Sequence, residues 1–154
     1  MRLCSCTRQI IQKHAASSYS PHCFDHTLKG NPMTLSQNQS LFAKDASLLI
    51  THIFSEGYTC TMGEAFRTKE QAEIYAKSGL GIAHSLHCER LAIDLNIFKP
   101  DGSLCETAAD YERFGCFWES LDAQNNWGGR WGVPGTPNEH ARPDSDHFQR
   151  KPLT

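Results

Sequence analysis

Residues 85–98 read Ser-Leu-His-Cys-Glu-Arg-Leu-Ala-Ile-Asp-Leu-Asn-Ile-Phe, and this stretch decides the fold. Within it, residues 91–98 alternate between apolar and other side chains, a pattern that predicts a half-buried β-strand. Successive strand side chains point to opposite faces, so one face should carry the apolar residues Leu91, Ile93, Leu95 and Ile97. Asp94 then lies on the other face, where an ionised carboxylate meets either solvent or a cation.

The sequence on both sides of this strand predicts an α+β fold, a small antiparallel sheet packed against about three helices. Apolar residues at helical spacing from Phe42 to Phe54 predict a first helix. Threonines placed before helical patterns predict starts for the other two. The predicted elements are a helix over 36–56, a strand over 58–62, a helix over 68–77, a strand over 90–98, a helix from Thr107 and a last strand over 146–149. The segment 127–143 contains four glycines and three prolines, which predicts an ordered loop.

Length and charge limit the classes of function. The 154 residues fit one domain, and the net charge is −2 with 21% charged residues. Without a run of like charges, we expect neither a nucleic-acid groove nor a polybasic membrane patch. No apolar run approaches the roughly 20 residues of a membrane-spanning helix, so no membrane insertion is expected and the protein should be soluble. The seven cysteines form an odd set, which favours reduced thiols over a disulfide framework.

Residues 1–32 differ in charge from the rest of the chain. They carry a net +3, whereas residues 33–154 carry −5. Arg8, Gln9 and Lys13 interrupt any apolar segment, so the start is a poor secretory signal. We interpret residues 1–32 as an N-terminal extension, poorly ordered or a start-site artefact, and residues 33–154 as the working domain.

Two distant histidines together with Asp94 form a candidate metal-ligand set. A hydrolytic zinc site usually takes three protein ligands from His, Asp and Glu, and His87, Asp94 and His147 supply them. From the residues alone, the alternative stays open, because a histidine in a small domain is more often a hydrogen-bonded core or surface residue. His52, His84 and His140 are not first-choice ligands. Cys88 beside His87 lacks the arrangement of a thiol protease.

The same residues carry a resemblance to a known family. Ser85, His87, Ala92 and Asp94 match the motif Ser-x-His-x-x-Gly-x-Ala-x-Asp, with Arg90 in place of the glycine. This motif resembles that of the zinc D-alanyl-D-alanine carboxypeptidases and L-alanyl-D-glutamate endopeptidases, which include many phage endolysins. Residues 144–147, Asp-Ser-Asp-His, resemble the family's second motif, and residues 127–131 resemble the Trp-rich segment of phage members. The resemblance extends over 33–150.

The resemblance implies a role for each site residue and a fold of the hedgehog and D-Ala-D-Ala-peptidase type. Zn²⁺ would be held by His87, Asp94 and His147. Asp144 would be the catalytic base, and its alternative, Asp146, should point away from the metal because neighbouring strand residues face opposite ways. Substrate would be bound by Arg67, for which the alternative is a solvated cation, and by Ser85, which could instead orient His87. Trp127 and Trp131 could each belong to the core or line the cleft.

The function that the resemblance implies is hydrolysis of bacterial peptidoglycan. We expect a zinc peptidase that cuts stem peptides between L-alanine and D-glutamate, a bacteriolytic phage or prophage endolysin. It would be made in the host cytoplasm, act on the cell wall after release, and work as a monomer without nucleic-acid partners. A D-alanyl-D-alanine carboxypeptidase is the close alternative. The alternative from another class is a non-catalytic, zinc-containing module that binds the cell wall.

Overall fold

The protein is described by a computed structural model that covers residues 33–134 and 142–152. The predicted extension 1–32 and His140 lie outside the described residues. The elements within them are α1 Leu35–Ser55, β1 Thr59–Met62, α2 Lys69–Lys77, β2 Ala92–Phe98, α3 Ala108–Leu121, β3 Asn125–Trp127 and β4 His147–Arg150. The predicted α+β class, with three helices against a small antiparallel sheet, is confirmed. None of the helices described is both long and apolar enough to cross a membrane.

The sheet is built around β2, the strand that contains Asp94. The strand order is β1-β2-β4-β3, and all three pairings are antiparallel. Residues 95–98 of β2 pair with β1, whereas residues 92–94 pair with β4. Where the partner changes, Tyr111 of α3 donates its hydroxyl to Leu95 O and accepts from Ile97 N, at 3.1 and 3.2 Å. The middle of β2 is therefore fixed by α3 as well as by its neighbouring strands.

The core lies between the sheet and the pair α1 and α3. The predicted inward face of β2 is confirmed, because Leu91, Leu95 and Ile97 are fully buried and Ile93 is 5% exposed. Each side chain of this kind contributes about 1.5–3 kcal/mol when fully buried. The fully buried residues that meet this face from the other elements are Leu49, Ile53, Phe114, Trp118 and Phe148.

Threonine side chains begin all three helices described. Helix α1 begins at Leu35, one residue before the predicted start, because Thr34 and Gln37 form a reciprocal capping box. Each side chain accepts the other residue's backbone N–H, which satisfies donors that the first turn leaves unpaired. Thr68 and Thr107 cap α2 and α3 through the backbone N–H three residues further on.

The prediction of a loop from residue 127 onward was wrong at its start. Trp127 ends β3, which pairs with β4, and residues 128–130 form a 3-10 turn. The indole of Trp127 is 2% exposed and belongs to the core. A Cβ atom at Gly115 or at Gly129 would lie 2.1 Å from that ring. These two glycines are therefore needed to admit a buried indole between α3 and the turn.

A buried arginine connects β4 to α1, to β3 and to Asp122, the residue that follows α3. Arg150 is 2% exposed, and its guanidinium donates to Asn38 of α1 at 2.7 Å and to Asn125 at 3.2 Å. It also pairs with Asp45 at 3.3 Å and with Asp122 at 3.0 Å. A buried charge is tolerated only when its donors are satisfied, as they are here. This network fixes the strand whose other end carries His147.

Candidate metal centre and cleft

The pairing of β2 with β4 creates the candidate site. Asp94 and His147 are direct cross-strand partners, so their side chains rise from adjacent positions on the same face of the sheet. His87 comes from the 3-10 turn Leu86–Glu89, which immediately precedes β2. The three residues of the predicted ligand set, of which His147 is distant in sequence from the other two, thus meet at one point.

Their donor atoms lie at the spacing that a small tetrahedral cation requires. Asp94 Oδ1 is 2.9 Å from His147 Nδ1 and 3.3 Å from His87 Nε2, and the two nitrogens are 3.2 Å apart. Ligands bound at about 2.0–2.1 Å around tetrahedral zinc lie about 3.3 Å from each other. His87, Asp94 and His147 therefore form a group that could hold a metal ion.

The electrostatics of the group favour an ionised Asp94. Burial by itself would raise the pKa of Asp94, but hydrogen bonds with His147 and His87 lower it to about 2. Burial would lower the pKa of His147, yet its bond with Asp94 raises that pKa above its ordinary value. Both shifts have one origin, the close approach of the Asp94 carboxylate to the His147 ring.

The turn that carries His87 is held at its start by Ser85 and ends at Arg90. Ser85 is buried, and its Oγ accepts a hydrogen bond from His87 N at 3.3 Å. Arg90 ends the turn in the left-handed conformation, φ 54° and ψ 39°, which glycine adopts more easily. Its guanidinium lies 4.3 Å from the centroid of the Phe66 ring. The contacts of Ser85 match its alternative role of orienting His87.

The ring nitrogens of His147 and His87 that lie outside the donor group have different surroundings. His147 Nε2 lies 3.1 Å from Gln149 Oε1, whereas His87 Nδ1 is buried without a hydrogen-bond partner among the described residues. Gln149 was missed from the sequence. A signal existed, because residues two apart on a strand share a face and His147 and Gln149 both lie in the predicted last strand.

Asp144 and Asp146 occupy different surroundings. Asp144 is exposed and lines the same cleft as the donor group, and Asp146 is half-buried outside the lining. Burial, followed by a hydrogen bond with Asp144, raises the pKa of Asp146 to about 7. Asp144 is held by its N–H, which donates to Gly128 O at 3.0 Å. A Cβ at Gly128 would lie 2.4 Å from Asp144 O, so this close approach requires glycine.

Arg67 lines the cleft and is already held by a carboxylate. Its Nε donates to Glu64 Oε1 at 2.9 Å, and its Nη2 donates to Glu64 Oε2. This hydrogen-bonded pair raises the pKa of Arg67 and lowers that of Glu64. The guanidinium also lies 4.9 Å from the centre of the Tyr75 ring. Glu64 was missed from the sequence, because residues 63–68 form no helix in which a spacing of three would indicate such a pair.

The cleft has a volume of about 400 Å³ and brings together every residue of the predicted site. Its lining includes Arg67, Ser85, Asp144 and the three donor residues. Trp131 also lines it, with its ring 5.1 Å from that of His147, so Trp131 belongs to the cleft and Trp127 to the core. His84 borders the cleft outside the donor group, and His52 is a core residue stacked on Phe117.

Comparison with known proteins shows a likeness of fold. No family model matches the sequence, and neither does any curated protein. Among solved structures, the chain is similar to the L-Ala D-Glu endopeptidase ChiX of Serratia marcescens, with a TM-score of 0.55 and 15% sequence identity. The similarity covers 79% of this chain and 89% of that one. The chain thus shares the α+β fold of that endopeptidase.

Proposed function

We propose that the protein is a zinc peptidase that hydrolyses the stem peptides of bacterial peptidoglycan between L-alanine and D-glutamate. The observation that carries the proposal is the set of three donor atoms, 2.9–3.3 Å apart, at the wall of a cleft. Zinc bound there would lower the pKa of a water molecule toward neutrality and polarise the scissile carbonyl. The shared fold with an L-Ala D-Glu endopeptidase supports the same reading.

Asp144 has the position and exposure needed for proton transfer. Peptide hydrolysis needs a group that takes the proton of the attacking water and returns it to the departing amine. Asp144 presents an exposed carboxylate to the cleft, while the neighbouring Asp146 lies outside the lining. We assign the base to Asp144 for this reason.

Arg67 fits the charge of the proposed substrate. In a stem peptide, the D-glutamate residue carries a free carboxylate next to its amide bond with L-alanine. Glu64 occupies Nε and Nη2 of Arg67, which leaves Nη1, near Gly81 in the cleft wall, for a substrate carboxylate. A guanidinium held in this way loses little conformational freedom when it binds a carboxylate. Ser85 would serve the site mainly through its bond to the His87 turn.

We place the activity in the lysis of a bacterial host by a phage or prophage. The enzyme would be made in the host cytoplasm as a monomer and would reach the wall after release. Neither nucleic acid nor membrane insertion forms part of this proposal.

The test is digestion of purified peptidoglycan by the zinc-loaded protein, followed by mass spectrometry of the new termini. New N-terminal D-glutamate supports the proposal, whereas released D-alanine indicates the carboxypeptidase. Binding to the wall without cleavage indicates the non-catalytic module. Asp94→Asn should abolish cleavage, and Asp101→Asn, the same change in the exposed turn after β2, should leave it intact.

A further inference from the structure

We propose that a hydrogen-bond relay from Trp131 through Asn126 and Gln149 sets the ring orientation and tautomer of His147, so that Nδ1 is presented to the metal. The inference rests on the proposed metal site and adds three positioning residues to it. Each link is determined by which atoms can donate and which can accept.

The relay begins at the indole of Trp131, whose hydrogen bond can have only one direction. The indole Nε1–H of Trp131 can donate but cannot accept, and it lies 3.0 Å from the side-chain amide of Asn126. The atom of Asn126 that faces it must therefore be the oxygen, Oδ1. This settles the orientation of an amide whose two ends have nearly the same shape.

The orientation of the Asn126 amide determines that of the Gln149 amide on the neighbouring strand. Asn126 and Gln149 are direct cross-strand partners of β3 and β4. Asn126 Oδ1 lies 3.4 Å from the Gln149 amide, and an oxygen there needs a donor, so Nε2 of Gln149 faces it. The other end of that amide, Oε1, is then directed at His147 Nε2, 3.1 Å away.

The hydrogen bond between Gln149 and His147 selects the tautomer of His147. A carbonyl oxygen can only accept, so His147 Nε2 must carry the ring proton, and in a neutral imidazole this leaves the lone pair on Nδ1. Nδ1 is the atom that lies 2.9 Å from Asp94 Oδ1 and 3.2 Å from His87 Nε2.

The relay acts on one ligand only. His87 Nδ1 has no hydrogen-bond partner among the described residues, so the turn that contains it, rather than a polar contact, orients its ring. Removing the relay should therefore weaken metal binding without abolishing it. Substitution of partners of this kind costs about 10- to 100-fold in metal affinity.

The experiment measures Zn²⁺ affinity by competition with a chromophoric chelator. Gln149→Leu should weaken binding about 10- to 100-fold, whereas Gln149→Glu, which loses the donor to Asn126 but keeps an acceptor for Nε2–H, should bind more tightly than Gln149→Leu. Trp131→Phe keeps an aromatic ring but loses the donor, and should cost about 2- to 10-fold. Gln124→Leu, the same change at a half-buried glutamine beside β3, is the matched control.

A second readout follows the ring proton directly. In two-bond ¹H–¹⁵N spectra of the zinc-loaded protein, His147 should be ligated through Nδ1, with an Nε2–H that exchanges slowly with solvent. In Gln149→Leu that proton should exchange faster. Ligation through Nε2 in the wild type would overturn the relay, and so would equal losses of affinity in Gln149→Leu and Gln149→Glu.

These readouts separate the relay from the proposed catalysis. If the protein binds zinc as expected but cuts no peptidoglycan, the relay is supported and the proposed peptidase activity is contradicted. If the protein cuts peptidoglycan and Gln149→Leu binds zinc like the wild type, the relay alone is contradicted. If the wild-type protein binds no zinc, both the relay and the zinc peptidase are contradicted.

Discussion

Asp94 and His147 face each other across the β2–β4 pairing, with 2.9 Å between Asp94 Oδ1 and His147 Nδ1. Strand register, which is strongly specified where one face of a sheet is buried, thus sets the distance between two proposed ligands. A slip of one residue would turn one of the side chains to the opposite face. The metal centre therefore depends on β4 keeping its register, which the buried Arg150 at the far end of that strand helps to hold.

Metal should stabilise the fold through these ligands. We expect zinc at about 100 times its dissociation constant to add about 2.7 kcal/mol to the free energy of unfolding, because it binds the folded state alone. A chelator should remove this gain. Asp94→Asn should abolish the effect of zinc on the melting temperature, and Asp101→Asn should preserve it. A zinc-dependent rise of wild-type size in Asp94→Asn would contradict the ligand assignment.

The metal-free protein should lose stability above neutral pH. The pKa of His147 is raised in the folded state by Asp94, so its contribution is complete below the ordinary imidazole pKa and is lost as pH rises through the folded value. The pKa of Asp94, lowered to about 2, makes a contribution that is lost only as pH falls toward that value. Melting temperatures measured with chelator should fall as pH rises above the ordinary imidazole pKa of about 6.5. His147→Gln should flatten this dependence, and an unchanged slope in that variant would refute its origin.

Asp144 and Asp146 should respond differently to neutralisation. Asp144→Asn should lower kcat about 10²- to 10⁴-fold, the usual contribution of a general base, with zinc affinity preserved. Asp146→Asn, a matched change two residues away, should keep most of the activity. It should also raise the melting temperature above pH 7, because burial and Asp144 raise the pKa of Asp146 and disfavour its ionised form. The reverse order of activities would transfer the base to Asp146.

Most of the fold could be predicted because local signals and tertiary structure agree. The alternation around Asp94 predicted β2, and threonine caps predicted where α2 and α3 begin. The strand β3 was missed because Asn125–Trp127 is too short to show a period and exists through its pairing with β4. No local sequence pattern indicates which distant segments pair as strands.

The candidate site could be predicted less completely than the fold. The motif spacing indicated His87, Asp94 and His147, which the structure brings together as one group. The roles of Gln149 and Asn126 depend on cross-strand register, and no residue type at those positions signals a relay. The two tryptophans of residues 127–131 look alike in sequence, and the packing against Gly115 and Gly129 places Trp127 in the core.

Gly115 offers a test in which helix propensity and packing predict opposite signs. Alanine in the middle of a helix is favoured over glycine by about 0.5–1 kcal/mol. At Gly115 of α3, however, the added Cβ would lie 2.1 Å from the Trp127 ring. We expect Gly115→Ala to destabilise the protein by about 1–3 kcal/mol in urea unfolding. Ser120→Ala, at an exposed position of the same helix, should stay within about 0.5 kcal/mol. Stabilisation by Gly115→Ala would show that the indole does not occupy this position.

Arg90 provides the last test, because it combines an unfavourable backbone conformation with a favourable contact. Its φ of 54° costs a side-chain-bearing residue about 1 kcal/mol relative to glycine, whereas its guanidinium over the Phe66 ring returns about 0.5–1 kcal/mol. Arg90→Ala keeps the backbone cost and loses the contact, so it should be the least stable of the three forms. Arg90→Gly should exceed Arg90→Ala by about 1 kcal/mol in urea unfolding and should bind zinc like the wild type, since both keep the turn that carries His87. Equal stability of the alanine and glycine variants would mean that residue 90 is not left-handed in solution.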